Sequence, residues 1–274
     1  MPAASDRPNA SLFLILGSGR CGSTWLYEVL REHPEIALSN EARVFDFLHF
    51  CVELVNVPET RIGHFVTRED VHMRGIVGEH HQPAIAKVFT GRTKEAAEDF
   101  YRELFPKKKY RWFGDKLPDP RAALTAMNLW PDYRYLILVR DPRDVLCSWR
   151  AYAKRDNIKA NYPELIDLTA PVLARSWSTL YAGLLERVAN PLVMRYEDTV
   201  AEPRHHIEQV LAFLGLEWHK WVERALETGG PFRTHGTAPT PESSRGRWQR
   251  ELSEADVAVI EEVCGELMQR FDYL

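Results

Sequence analysis

The run Gly17-Ser18-Gly19-Arg20-Cys21-Gly22-Ser23-Thr24 combines a glycine-rich backbone, one guanidinium and two adjacent hydroxyls. Between a strand and a helix, such a run points backbone N–H groups at an anion and adds the positive end of the helix dipole. Phosphate fits these parts: Arg20 brings charge beside one phosphate and its bridging oxygen, while Ser23 and Thr24 donate from their hydroxyls. The triphosphatase pattern G-x-x-x-x-G-K-[ST] is not met, because Ser23 follows Gly22 where that pattern has lysine. A glycine-rich turn that only caps a structural helix is the plainer alternative.

A second anion-binding pair is spaced along Tyr135–Ser148. Arg140 closes the apolar run Tyr135–Val139, so its guanidinium is expected at the carboxyl edge of a strand, where ligands of open α/β sheets sit. Ser148 falls on the same helical face as Asp141, two turns further along. Arginine and hydroxyl would then converge on one phosphate; otherwise they are a surface arginine and a packing serine. Two anion sites on neighbouring strands describe a ligand with phosphates at both ends of a nucleoside.

The elements that position these groups can be read from hydrophobic pattern. Leu12–Leu16 is an apolar strand, and the cradle leads into a helix through Leu26, Val29 and Leu30 that ends at His33-Pro34. Trp112–Gly114 begins a second unit and Pro120–Trp130 its helix. In the third, Asp141 caps a helix with Pro142 at its first position and Val145, Trp149 and Tyr152 on one side. Leu192–Met194 precedes a helix at about Pro203–Leu214. A last helix starts at the capping box Ser253-x-x-Asp256 and buries Ile260, Val263, Cys264, Leu267, Met268 and Phe271. The alternation predicts a three-layer α/β fold: a mostly parallel, doubly wound sheet with a P-loop-like phosphate cradle.

The chain is expected to form a single domain over 1–274, with an acceptor-side insertion at 40–112 and a mobile covering loop at 228–247. A net charge of −4 opposes a broad nucleic-acid footprint, so an anion site has to be built locally. Four scattered cysteines, a polar start and no long apolar run predict a reduced cytoplasmic protein without a membrane span. The oligomeric state is left open. No metal site is expected: the adjacent His80 and His81 diverge on regular structure, and nothing is spaced to complete a shell. Lys107-Lys108-Lys109 reads as a solvated charge run.

On these motifs the chain resembles the sulfotransferases that use 3′-phosphoadenosine 5′-phosphosulfate (PAPS) and release PAP. Gly17–Leu26 is similar to their 5′-phosphosulfate loop, and Arg140 with Ser148 to their 3′-phosphate motif. Phe113–Pro118, Arg195–Asp198 and Ser244–Trp248 match further segments in the same order, whereas Cys51–Tyr110 matches none. The resemblance implies sulfuryl transfer from PAPS to a small-molecule, carbohydrate or peptide acceptor by in-line displacement. It implies donor contacts from Gly19, Arg20, Cys21, Gly22, Ser23, Thr24, Trp25, Arg140, Ser148 and Tyr196, with Arg245 and Gly246 folding over the 3′-phosphate.

Such a reaction needs a base for the acceptor proton and cations for the charge that grows on the bridging oxygen. Glu41 is the candidate base: it follows the cradle helix and the His33-Pro34 turn, and its surroundings resemble tyrosylprotein and N-deacetylase-type members with a glutamate base there. Arg43 would tune that carboxylate. Phenol- and steroid-type members carry a histidine in Lys-x-His-Leu-Pro; Asp115-Lys116-Leu117-Pro118 has none. Lys116 and Arg20 are the expected leaving-oxygen cations. Phe45, Phe47, Phe50, His49, Tyr101 and Trp112 could form an aromatic acceptor wall or simply a buried insertion. The competing functions are a P-loop nucleotide or small-molecule kinase and a non-catalytic PAP-binding module.

Overall fold

The computed structural model describes residues 11–42, 44–45, 82–106, 110–117, 122–123, 126–127, 130, 133–161, 168–228 and 236–274. Their elements, in chain order, are β1 (Ser11–Leu16), α1 (Ser23–Leu30), β2 (Ile36–Asn40), α2 (Gln82–Leu104), β3 (Trp112–Leu117), β4 (Arg134–Val139), α3 (Pro142–Ala153), α4 (Asp156–Asn161), α5 (Ala170–Arg187), β5 (Leu192–Arg195), α6 (Tyr196–Ala201), α7 (Pro203–Phe213), α8 (Lys220–Glu227), α9 (Trp248–Glu251) and α10 (Glu254–Arg270).

All the described strands are parallel, in the order β2-β3-β1-β4-β5. Alternation along β1 divides the core into two layers. Leu12, Leu14 and Leu16 pack with α5, α10 and the Ala97–Tyr101 side of α2, while Phe13 and Ile15 pack with α1, α7 and α8. This is the doubly wound α/β architecture expected from the sequence. The chain leaves β1 toward β2, comes back through β3 and crosses to β4 on the other side of β1. The carboxyl end of β1 is therefore the switch point, where a crevice opens between neighbouring loops.

Local signals explain the helix starts. Asp141 caps α3 by accepting from the Arg143 N–H at 2.9 Å, with Pro142 next to it, and Ser253 caps α10 by accepting from the Asp256 N–H at 3.2 Å. One packing expectation changes. Val263 is exposed, because the inner stripe of α10 runs through Ile260, Cys264 and Met268, about a quarter-turn away from it. On α3, Trp149 and Tyr152 are only half-buried: Trp149 packs between the core and Gly19, and Tyr152 lies under Arg20.

In the 40–112 segment, Phe45 and Tyr101 are fully buried beside Trp130, and Trp112 packs on Phe13 and donates to the Leu214 carbonyl. Phe45 and Tyr101 thus build core, and Trp112 is partly buried against it. Phe47, His49, Phe50, His80, His81, the lysine run 107–109, Arg43, Pro118, Pro120 and residues 229–235 of the expected covering loop lie outside the described residues. Among the described residues no helix is long and apolar enough to cross a membrane.

Candidate active site

The cradle occupies the switch point. Ser23 and Thr24 open α1, so their backbone N–H groups lie ahead of the helix's own hydrogen-bond ladder. The loop reaches this position through two left-handed residues, Arg20 at φ 68° and Gly22 at φ 99°. At Gly22 only glycine fits: a Cβ there would stand 2.4 Å from Cδ2 of Tyr196. Cys21 is fully buried and burial raises its thiol pKa, so it contributes backbone and packing, not a thiolate. Trp25 is partly buried and packs on the α1 side of the core.

Beside the cradle, the carboxyl ends of β2 and β3 bring together Glu41 and Lys116. The parallel register sets Asn40 against Lys116, which leaves Glu41 just beyond the strand end. Lys116 Nζ lies 2.6 Å from Glu41 Oε1 and 3.3 Å from Thr24 Oγ1. The lysine side chain is 5% exposed and the glutamate 32%, so the carboxylate can be reached from outside while the ammonium is sealed against the cradle helix. Glu41 has φ 57°, left-handed and unusual for a non-glycine residue. Buried Asp115 holds it there, accepting from the Glu41 N–H at 3.0 Å.

On the other side of the loop lies a cluster of cations. Arg20 Nε donates to Ser148 Oγ at 3.2 Å, and its guanidinium lies 4.5 Å from the Tyr152 ring centre. Burial first, and then the like charges of Arg140 and Arg155, push its pKa down to about 10 against the pull of Tyr152. Arg140 is buried over the Tyr196 ring, donating from one terminal nitrogen to the Arg20 carbonyl at 3.1 Å and from the other to the Ser244 carbonyl at 2.6 Å. Its Nε is buried with no hydrogen-bond partner among the described residues. Arg143, by contrast, is structural: it bonds Asp141, Glu261 and the Tyr273 carbonyl.

The segment 236–248 closes over this cluster. Thr237 Oγ1 lies 3.0 Å from Ser148 Oγ and accepts from Arg247 at 3.0 Å; the Gly236 carbonyl accepts from Arg155 at 2.6 Å. Tyr196 Oη and Ser244 Oγ are 2.8 Å apart, and Arg245 donates to the Glu197 carbonyl at 3.1 Å. Asp144 on α3 accepts from the N–H groups of Gly246 at 2.6 Å and Trp248 at 3.0 Å. Burial pushes the Asp144 carboxyl above its ordinary value, against these two bonds.

Expected and observed positions differ at one point. From sequence, Arg140 and Ser148 were to share one anion site, with Arg20 at another beside Lys116. Instead Arg20 turns to Ser148, so the two clusters meet through its side chain, while Lys116 pairs with Glu41. Sequence reasoning missed Asp115, Tyr152, Asp144, Arg155 and Thr237. Asp144 had a signal, its place one turn past the cap residue Asp141; Thr237 had none.

The sequence model of the sulfotransferase family matches residues 13–220. No curated protein matches the chain. Among solved structures, it is similar to the sulfotransferase domain from the Synechococcus PCC 7002 olefin synthase, at 19% identity over 96% of this chain and 97% of that one, with a TM-score of 0.55. It is similar to the sulfotransferase domain from the curacin biosynthetic pathway, at 18% identity over 95% and 98%, with a TM-score of 0.56. A mouse sulfotransferase complexed with PAP aligns at 15% identity over 97% and 87%, with a TM-score of 0.52. At these identities the likenesses establish the fold, and the family match, which spans well over half of the sequence, establishes more. The chain belongs to the sulfotransferase family.

Proposed function

We propose that the chain transfers a sulfuryl group from PAPS to an acceptor hydroxyl or amine, with Glu41 as the base. The observation that carries this is the 2.6 Å contact between Lys116 and Glu41, placed against Thr24 of the cradle at the switch point of the sheet. It joins a reachable carboxylate to a buried cation beside a phosphate-binding loop. The residues fit a bisphosphorylated nucleoside: a left-handed glycine cradle before a helix N-terminus, a group of arginines around Ser148 and Thr237, and a buried Arg140 Nε with no acceptor among the described residues. PAPS, when bound, supplies the activated sulfuryl group.

The chain's own residues have separate tasks. Glu41 takes the proton from the acceptor, and Lys116, released from its ion pair as Glu41 becomes neutral, turns its charge toward the leaving oxygen. Ser23, Thr24 and the first-turn amides of α1 hold the 5′ end. Arg20, Arg140, Ser148, Arg245 and Gly246 hold the 3′ end, with Thr237 beside Ser148. Tyr196 lies under Arg140 and wedges Gly22, so one ring supports both the cradle and the arginine cluster.

The test is radiolabelled PAPS with a panel of phenolic, carbohydrate and peptide acceptors, read by the mass shift of the product. A Glu41→Gln chain should bind PAP normally and lose turnover by about 10²–10⁴-fold. Normal turnover in that variant removes Glu41 from the role, and PAP binding without any sulfated product removes the reaction itself.

A further inference from the structure

The strained backbone at Glu41 leads to a group that the reaction does not itself use. Asp115 sits one residue before Lys116 in β3 and is fully buried, an unusual place for a carboxylate. Its Oδ1 accepts from the N–H of Glu41 at 3.0 Å and of Lys116 at 2.8 Å; Ala42 N–H lies 3.3 Å from Oδ2 and 3.4 Å from Oδ1. Oδ2 also accepts from the Tyr101 hydroxyl at 2.7 Å, and the Ser39 side chain on β2 bonds the same carboxylate. Tyr101 comes from α2 and is itself buried against Phe45. One carboxylate thus ties together three pieces of chain: the turn that carries Glu41, the strand that carries Lys116, and the helix of the 40–112 segment.

From this convergence we infer that Asp115 and Tyr101 are positioning residues, which fix Glu41 and Lys116 in reacting geometry and couple that geometry to the packing of α2. The inference rests on Glu41 being the base. A left-handed non-glycine residue persists only where its surroundings over-determine it, and the acceptor bonds of Asp115 do so here. The arrangement needs an oxygen acceptor facing β2 and β3, not a charge as such. Asparagine can keep its oxygen toward Glu41 and Lys116 and donate its amide to the Tyr101 oxygen, whereas alanine leaves three backbone N–H groups without their acceptor. Because Tyr101 anchors Oδ2 from α2, a shift of that helix moves the carboxylate and with it the base.

The experiment uses the full chain with Asp115→Ala, Asp115→Asn, Tyr101→Phe and Glu41→Gln. PAP affinity is measured by calorimetry, PAPS turnover with the best acceptor of the panel, and amide hydrogen exchange over residues 39–42. Displacing a reacting group by about 1 Å costs about 10²-fold, so Asp115→Ala should lose about that factor in kcat, keep PAP affinity within about threefold and exchange faster at 41 and 42. Asp115→Asn should regain turnover to within about tenfold of the parent, and Tyr101→Phe should lose about three- to tenfold in kcat with faster exchange at the same amides. If Asp115→Ala does not fold, Tyr101→Phe decides alone. Loss of turnover in Glu41→Gln with unchanged turnover and exchange in the Asp115 and Tyr101 variants overturns this inference and spares the base. Normal turnover in Glu41→Gln sinks the base assignment and takes this inference with it.

Discussion

Replacing Gly22 by alanine asks whether the cradle and the arginine cluster form one mechanical unit, and the structure separates two costs. Gly22 has φ 99°, and a residue with a Cβ held in left-handed backbone costs about 1–2 kcal/mol. The new methyl would also stand 2.4 Å from Cδ2 and 2.6 Å from Cε2 of Tyr196. That ring cannot swing aside cheaply. It is 4% exposed, its hydroxyl is tied to Ser244, and the Arg140 guanidinium lies 4.4 Å from its centre. Overpacking against such a ring costs about 1–3 kcal/mol, which brings the total to about 2–5 kcal/mol. At about 2–4 °C per kcal/mol, the melting temperature should fall by roughly 4–20 °C. Whatever part is relieved by moving Tyr196 also moves Arg140 and Ser244, and if that part is about 1.4 kcal/mol, PAP affinity falls about tenfold.

Gly246→Ala is the stability control, since Gly246 also has positive φ, 64°, but its Cβ would meet nothing within 4 Å. Thermal unfolding of both variants and calorimetry of Gly22→Ala with PAP make the comparison. A Gly22→Ala chain that melts with Gly246→Ala and binds PAP like the parent would refute the wedge between Gly22 and Tyr196.

Three further outcomes are expected. Lys116→Met should lower turnover by about 10²–10³-fold while PAP affinity changes little; parallel loss of both in calorimetry and PAPS assays would place Lys116 in ground-state binding instead. Asp144→Ala strips two backbone N–H groups of their acceptor, at about 1–3 kcal/mol for each one left buried, so PAP should bind at least about tenfold more weakly and residues 236–248 should be cut faster in limited proteolysis. Arg20, with its pKa pushed down to about 10, loses charge as pH rises through that value, so affinity for the anion is full below it and declines above it. Fluorescence titration of PAP between pH 8 and 10.5 should show that decline in the parent and a flat, weaker profile in Arg20→Gln; an equal decline in both would assign it to another group.

The layered sheet and the cradle were legible because each rests on local signals: short apolar runs, a glycine-rich turn, and the caps Asp141 and Ser253. The side-chain partners were less so. Tyr152 shares a helical side with buried Val145, and periodicity cannot tell that its ring lies under Arg20 of the cradle loop. Arg20 reaches Ser148 because a left-handed φ of 68° redirects its side chain, and nothing in the sequence marks a non-glycine residue for that conformation. Asp115 meets Glu41 only through the register of β2 on β3, a pairing between segments far apart in the chain. The covering segment has no hydrophobic period at all, so Thr237 could be found only once its neighbours were placed.

The order in which the parts leave the ribosome follows from where they lie. The last of the described strands ends at Arg195, yet Thr237, Ser244 and the Asp144-bound Gly246 come about 40–50 residues later, some 2–10 s at ordinary elongation rates. Until then the nascent sheet has its cradle but neither the cover over Arg140 nor the α10 layer on one face. The cover over Arg140 and the α10 layer on the sheet are therefore made in the same stretch of chain, after the cradle they complete.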